Sequence, residues 1–449
     1  MSTKSATRPK TDLEFIPIPP PDRQPPGMGK KAAETESKDG ATGERTAAQT
    51  RWLKLWTTFW IALAIAAIVF VPHLFWLMAP ELPLNVLVVD KTVPFEDLRE
   101  HRGLFWLLGQ NKFIDKAKAK DDQDYKYEED YVGYFPLDPP PKHKTTLLHS
   151  GDLADRDVLY IADTYGVYSD DYEQFPDQDF AATRHSTRIF GGMEEQEVEA
   201  VEGFAKRGKL IIAEFNTFGS PTQRELRRRM ERVLGVTWTR WIGRYFIDFQ
   251  DEKDVPAWLY ELYELKYGKE WDLTGSGYML CRDESTEFII LKDEEDVLPP
   301  GLELVPRPEF AKGDDMQGVE RSTHNYWFDI IVAHPGTTTL AEFEFHLTPS
   351  GEEKLKEHHL TKSFPAVTRL NRGYTAYYLA GDFVDFDKAM GSPRSRLTLY
   401  INRSYYGRYV QGSQGLFYWH TYYPLMCNIL RKESNKLNNG LPSNVYLFD

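Results

Sequence analysis

The longest apolar run in the chain covers residues 55–79, where Leu, Ile, Ala, Val, Phe and Trp dominate and no Asp, Glu, Lys or Arg occurs. About 20 such residues cross the hydrocarbon layer of a bilayer, so the pattern predicts a transmembrane helix over residues 51–79. Thr57 and Thr58 can bond back to helix carbonyls, Pro72 and His73 fall near the far end, and Trp52, Trp56 and Trp76 mark the two interfaces. The run is too long, and too far from the start of the chain, for a signal-peptide core. Residues 1–50 carry no periodic apolar pattern, which predicts a disordered tail. Within it, Pro17, Pro19, Pro20, Pro21, Pro25 and Pro26 favour an extended polyproline II conformation, either a spacer or a ligand for an aromatic groove.

Beyond the apolar run the pattern shortens. Residues 84–89 (Leu-Asn-Val-Leu-Val-Val) form a β-branched run that suits a strand covered on both faces, and it ends at Asp90. Residues 158–162 repeat the pattern and end at Asp163; residues 210–213 repeat it and end at Glu214. Between the second and third runs, Val198, Val201, Phe204 and Ala205 share one helical face, entered through Gly191-Gly192 and left through Gly208. After the third run, Ser220-Pro221-Thr222-Gln223 offers a helix start whose apolar positions continue through Leu226, Met230, Val233 and Leu234 to a stop at Gly235. Strand, helix, strand, helix at this spacing predicts an α/β fold with a doubly wound, mostly parallel sheet over residues 80–240.

From there the composition shifts. Trp238, Trp241, Tyr245, Phe246, Trp258, Tyr260, Tyr263, Tyr267 and Trp271 crowd together, and strand-like runs follow at 287–291, 327–333, 340–347, 374–379 and 397–401. These predict an additional α+β part over 241–432, some strands extending the first sheet and some forming a smaller unit. A last helix is expected near 425–430 and a loose tail over 433–449.

Charge gives the chain an orientation. Arg45, Arg51 and Lys54 precede the apolar run, whereas Glu81 opens the other flank and Lys91 is its first basic residue. That asymmetry predicts a cytoplasmic N-terminus and an extracytoplasmic C-terminal part. Residues 1–54 hold ten basic and seven acidic side chains, so the net −14 of the chain leaves −17 beyond residue 79. So acidic a surface argues against nucleic acid and anionic lipid as partners. Cys281 and Cys427 are the two cysteines, and their spacing leaves open whether they pair or remain two buried thiols.

Arg-Ile-Phe-Gly-Gly (188–192) followed by a helix, and then Gly-Lys-Leu-Ile-Ile-Ala-Glu-Phe-Asn (208–216), resembles the class I glutamine amidotransferase-like fold over 84–236. In active members a cysteine occupies the sharp turn after this strand, served by a histidine and a glutamate. Here that turn reads Glu214-Phe215-Asn216-Thr217-Phe218, and neither cysteine is near it. The resemblance therefore implies the fold without amidotransfer, and by analogy a non-catalytic module of carbohydrate-active or envelope proteins.

The candidate chemistry rests on carboxylates and aromatics. Asp90, Asp163 and Glu214 would converge, because ligands of open parallel sheets lie outside the carboxyl ends of the strands, although each could instead cap a helix. Asp382 and Asp385 in Ala-Gly-Asp-Phe-Val-Asp could supply a partner carboxylate for glycoside cleavage, or be ordinary turn residues. Trp238, Trp241, Trp419 and Tyr422 could stack on sugar rings or belong to the core. His420 could act as a base, but no second histidine or cysteine sits at zinc-ligand spacing, so no metal or cofactor is expected. Nucleophile-elbow, phosphate-loop and dinucleotide fingerprints are absent. Two function classes follow: a membrane-anchored interaction or scaffold module of the cell envelope, binding a protein or glycan, or an envelope hydrolase acting on a polysaccharide through carboxylate acid and base.

Overall fold

A computed structural model describes residues 39–172, 187–251, 254–313, 315–386, 394–409 and 414–438. The prolines of the tail and residues 439–449 lie outside that set. Helix α1 spans Asp39–Leu77, so it begins twelve residues before the expected boundary at 51. The stretch 39–50 contains Ala41, Ala47 and Ala48, good helix formers that extend the apolar helix backwards. Within α1, the segment Gln49–Leu77 contains an 18-residue stretch of mean hydropathy 2.2 and is long and apolar enough to cross a membrane. Thr57 and Thr58 donate to the carbonyls of Leu53 and Lys54, as expected.

The described residues from Ala67 onward form the folded body. Strands β1 (Val86–Asp90), β2 (Tyr131–Pro136), β3 (His143–Thr145), β4 (Val158–Asp163) and β5 (Leu210–Glu214) start one sheet. Every residue of β1, β4 and β5 is buried, which is why these runs are continuously apolar. The chain then leaves that sheet for β6 (Val236–Phe246), β7 (Gly277–Arg282) and β8 (Phe288–Lys292), and returns with β9 (Val297–Pro306) and β10 (Ser322–Thr323). Strand β11 (Phe328–Ala333) joins the smaller sheet, while β12 (Thr337–Leu347), β13 (Ser363–Asn371) and β14 (Thr375–Leu379) complete the larger one.

Among the described residues the larger sheet has ten strands in the order β10-β9-β12-β13-β14-β5-β4-β1-β2-β3, and the smaller has four in the order β8-β7-β6-β11. Pairing is parallel from β14 through β5, β4 and β1 to β2, and antiparallel elsewhere. The sheet is thus mixed rather than mostly parallel. Antiparallel strands of the C-terminal part add to the parallel edge at β5, so the first sheet continues past residue 240.

Helices α2 (Arg99–Gln110), α3 (Glu195–Lys206) and α4 (Arg224–Leu234) follow β1, precede β5 and follow β5, respectively. Helix α4 starts later than expected: Ser220 donates to Asp283 at 2.8 Å instead of capping, and the helix stops at Gly235, whose φ of 72° is left-handed. Helix α5 (Ala257–Tyr267) lies over the smaller sheet. The run 397–401 is not a strand but part of α6 (Arg396–Tyr409). Its alternation misleads because the Ser395 hydroxyl accepts from the Thr398 amide at 3.1 Å, an N-cap that starts a helix there. The last helix, α7, runs over Tyr423–Leu437, beyond the expected end, with Leu425, Met426, Ile429 and Leu430 buried in the core.

Candidate functional site

Parallel register brings the carboxylates to one edge. Asp90 pairs with Asp163 across β1 and β4, and Leu379 pairs with Glu214 across β14 and β5, so the loop after β14 leaves from the same edge. That loop carries Asp382 and Asp385. Helix α2 starts from the same edge, which places Arg99 and Glu100 there as well.

Above this edge opens a cleft of about 750 Å³. Glu100, Asp163, Asp171, Asp382, Thr92, Arg99 and Asn216 form its charged and amide or hydroxyl lining, and Tyr165, Phe215, Trp258 and Trp327 contribute aromatic walls. Trp327 stacks between Phe215 (1° interplanar, centroids 6.3 Å apart) and Trp258 (27°, 6.0 Å), and both tryptophans remain half-buried.

Each carboxylate has a different environment. Asp163 accepts from the Thr92 hydroxyl at 2.7 Å and the Tyr165 amide at 2.5 Å, yet burial outweighs these bonds and pushes its pKa up to about 7. Glu100 and Asp382 are pushed well above the ordinary range, first by burial and then by charges around them: Asp385 is the main one on Glu100, and Glu100 the main one on Asp382. The Arg99 guanidinium lies 2.8 Å from Asp385 Oδ1 and 3.2 Å from Glu100 Oε1.

Of the expected site residues, Asp163 and Asp382 line the cleft, and Asp385 sits beside Asp382 and Glu100. Asp90 lies behind, fully buried: its carboxylate meets His101 Nδ1 at 2.5 Å and accepts from the Thr92 amide at 3.0 Å. Glu214 is also behind the cleft. One oxygen takes the Tyr160 hydroxyl and the other accepts from the amides of Phe383 (3.0 Å) and Val384 (3.3 Å), so Glu214 fixes the loop that bears Asp382 and Asp385. Burial carries its pKa up to about 8 against the pull of those bonds.

The other aromatics are core residues. Trp238 and Trp241 are buried, with the Trp238 indole donating to the Trp241 carbonyl at 3.3 Å; Trp419 packs edge-on against Trp106, and Tyr422 bonds the Tyr160 hydroxyl. His420 is held between Glu320 at 2.7 Å and the Arg403 carbonyl at 2.9 Å, and it does not line the cleft. Sequence reasoning missed Arg99, Glu100, Tyr165, Trp258 and Trp327 as site residues. The signal for the first two was the Asp-Leu-Arg-Glu stretch ahead of Leu104, Leu107 and Leu108, a helix start directly after a strand.

At the turn after β5, the side chains are Phe215, Asn216 and Thr217. Cys281 and Cys427 are free, buried and absent from the cleft lining, and burial raises both thiols. An acidic, aromatic-walled crevice thus opens at the carboxyl ends of the parallel strands, the place where ligands of open α/β sheets generally lie.

No protein-family model matches the chain, and no curated protein does. Among solved structures, a ThuA-like protein from Parabacteroides merdae ATCC 43184 aligns with 11% identity and a TM-score of 0.31, over 66% of this chain and 78% of its own. A ThuA-like protein from Bacteroides uniformis ATCC 8492 aligns with 10% identity and a TM-score of 0.32, over 81% of this chain and 96% of its own. ThuA-like proteins belong to the class I glutamine amidotransferase-like superfamily, but at these TM-scores the alignments establish no kinship.

Proposed function

We propose that this chain is a membrane-anchored binding module whose folded body stands outside the cytoplasm and takes a neutral glycan of the cell envelope into the cleft. The observation that carries the reading is the pairing of half-buried Trp258 and Trp327 with a polar floor of Asp163, Asn216 and Asp382. Aromatic faces stack on the C–H faces of sugar rings, and carboxyl and amide groups bond their hydroxyls. The acidic floor disfavours nucleotides and other anionic ligands. The apolar segment of α1, with Arg51 and Lys54 before it and Glu81 after it, supports the anchor and its direction. The Phe215-Asn216 turn lacks the thiolate that amidotransfer needs, which supports a function other than amidotransfer.

A second reading, a polysaccharide hydrolase, has one observation in its favour: Asp163, held near pH 7 by burial, has the affinity for protons of a general acid. Incubating the full-length protein in nanodiscs with soluble envelope glycan fragments in ¹⁸O-water separates the two. Mass spectrometry of glycans that bind and are recovered intact supports the binding module. Shortened glycans carrying ¹⁸O at new ends support the hydrolase, and glycans that neither bind nor change reject both.

A further inference from the structure

We propose that Glu100, Asp382 and Asp385 hold one divalent cation of the oxygen-seeking kind, calcium in preference to magnesium, at the floor of the cleft. One carboxylate oxygen from each residue lies within 4.8 Å of one from each of the others, and all three side chains are buried. Magnesium usually keeps several waters and binds through one or two carboxylates, whereas calcium takes about six to eight oxygens, often from several carboxylates. A set of three carboxylates therefore suits the larger ion.

A second observation points to a missing partner. Glu100 is 6% exposed and lines the cleft, and its Oε2 has no hydrogen-bond partner among the described residues. Arg99 occupies the other oxygen, Oε1, and also takes Oδ1 of Asp385. An unpaired buried carboxylate oxygen is costly, and no donor among the described residues relieves it.

Charge counting gives the size of the missing partner. Three carboxylates and one guanidinium leave a buried group of −2 if all are ionised, and one divalent cation makes it neutral. Asp163 is already served by Thr92 and the Tyr165 amide and needs no ion. The cleft is open to solvent, so waters can complete a shell of six to eight oxygens. The arrangement also explains why Glu214 grips the backbone of Phe383 and Val384: it fixes the two residues between Asp382 and Asp385, and with them the spacing of the proposed ligands.

The inference shares the cleft with the glycan reading but does not depend on it, because the cation is assayed alone. Terbium(III) replaces calcium in oxygen sites, and Trp258 and Trp327 in the cleft wall would sensitise its luminescence. Full-length protein in nanodiscs, stripped with chelator, should show saturable terbium emission at one ion per chain, displaced by calcium chloride and less readily by magnesium chloride. Glu100→Gln and Asp382→Asn should each weaken the ion by about tenfold or more. Glu352→Gln, on a surface helix away from the cleft, should change nothing. Absence of calcium-displaceable emission in the wild type overturns the proposal, as does wild-type affinity in both cleft variants. If both variants fail to fold, the thermal midpoint of the wild type decides: it should rise on adding calcium chloride, and an unchanged midpoint overturns the proposal. Glycan binding without cation binding would sink this inference alone, and cation binding without glycan binding would sink the proposed function alone.

Discussion

Replacing Glu214 tests how the site is held together. In the folded protein its carboxyl accepts two backbone amides of the 382–385 loop and the Tyr160 hydroxyl, with no exposure to solvent. Glu214→Ala leaves those two amides unpaired, at about 1–3 kcal/mol each, so a loss of about 2–6 kcal/mol is expected before any cavity cost. Glu214→Gln keeps the shape: its carbonyl can accept both amides and its NH₂ can face the Tyr160 oxygen, so the loss should be about 1 kcal/mol or less at neutral pH. The two variants also differ in pH response. Burial raises the Glu214 pKa from 4.5 to about 8, so the folded state binds the proton more tightly than the unfolded chain. The resulting stabilisation is fully present below about pH 4.5 and is lost as pH rises through about 8. At about 1.4 kcal/mol per unit this is about 4–5 kcal/mol at most, on the order of the Ala penalty itself. Thermal unfolding of the full-length protein in nanodiscs, followed by tryptophan emission between pH 5 and 8, should therefore show a declining midpoint in the wild type and a flatter one in Glu214→Gln. Equal stability of the Ala and Gln variants, or an unchanged pH slope in Glu214→Gln, would refute the reasoning.

Asp90→Asn should cost about 3–5 kcal/mol, because it breaks a fully buried pair with His101, whose Nε2 already faces the Tyr127 carbonyl at 2.9 Å; an unchanged unfolding midpoint would contradict this. Lys91→Met strands the buried Glu197 carboxylate that Lys91 meets at 2.5 Å, with a similar expected loss, and adding Glu197→Gln should recover part of it; no recovery would show that the pair acts separately. Protease added outside intact cells should digest the folded body and spare residues before α1, and the reverse pattern would invert the proposed topology.

The parallel half of the fold was legible because β1, β4 and β5 are buried on both faces, which imprints unbroken apolar runs, and because each ends on an acid. The antiparallel half was legible only in part: the runs at 287–291, 327–333, 340–347 and 374–379 correspond to β8, β11, β12 and β14, whereas β6, β7, β9 and β13 left no such signal. Strand β9 contains Pro299, Pro300 and Gly301 and bulges against β12, so its apolar pattern is broken. Helix α6 was read as a strand because Leu397, Leu399 and Ile401 alternate, although only Leu399 is buried in the helix. At the site, the convergence of strand ends followed from parallel pairing, but which acids face the cleft did not. Glu214 ends its strand as expected and turns its carboxyl to the 383–384 amides, whereas Glu100 reaches the cleft from a helix start 282 residues before Asp382. Only tertiary packing joins those two. The tryptophans divide in the same way: Trp238 and Trp419 fill the core, while Trp258 and Trp327 stay half-buried because the smaller sheet and α5 wall the cleft rather than cover it.

Glycan binding monitored by tryptophan fluorescence reaches the central claim most directly, since Trp258 and Trp327 line the cleft themselves. Titrating the full-length protein in nanodiscs with soluble neutral envelope glycans should give a saturable change in emission that is lost in Trp327→Ala and weakened in Asp163→Asn and Asp382→Asn, with all three variants folded. The account is contradicted if no such glycan perturbs the wild-type emission at millimolar concentration, or if the folded variants bind as the wild type does.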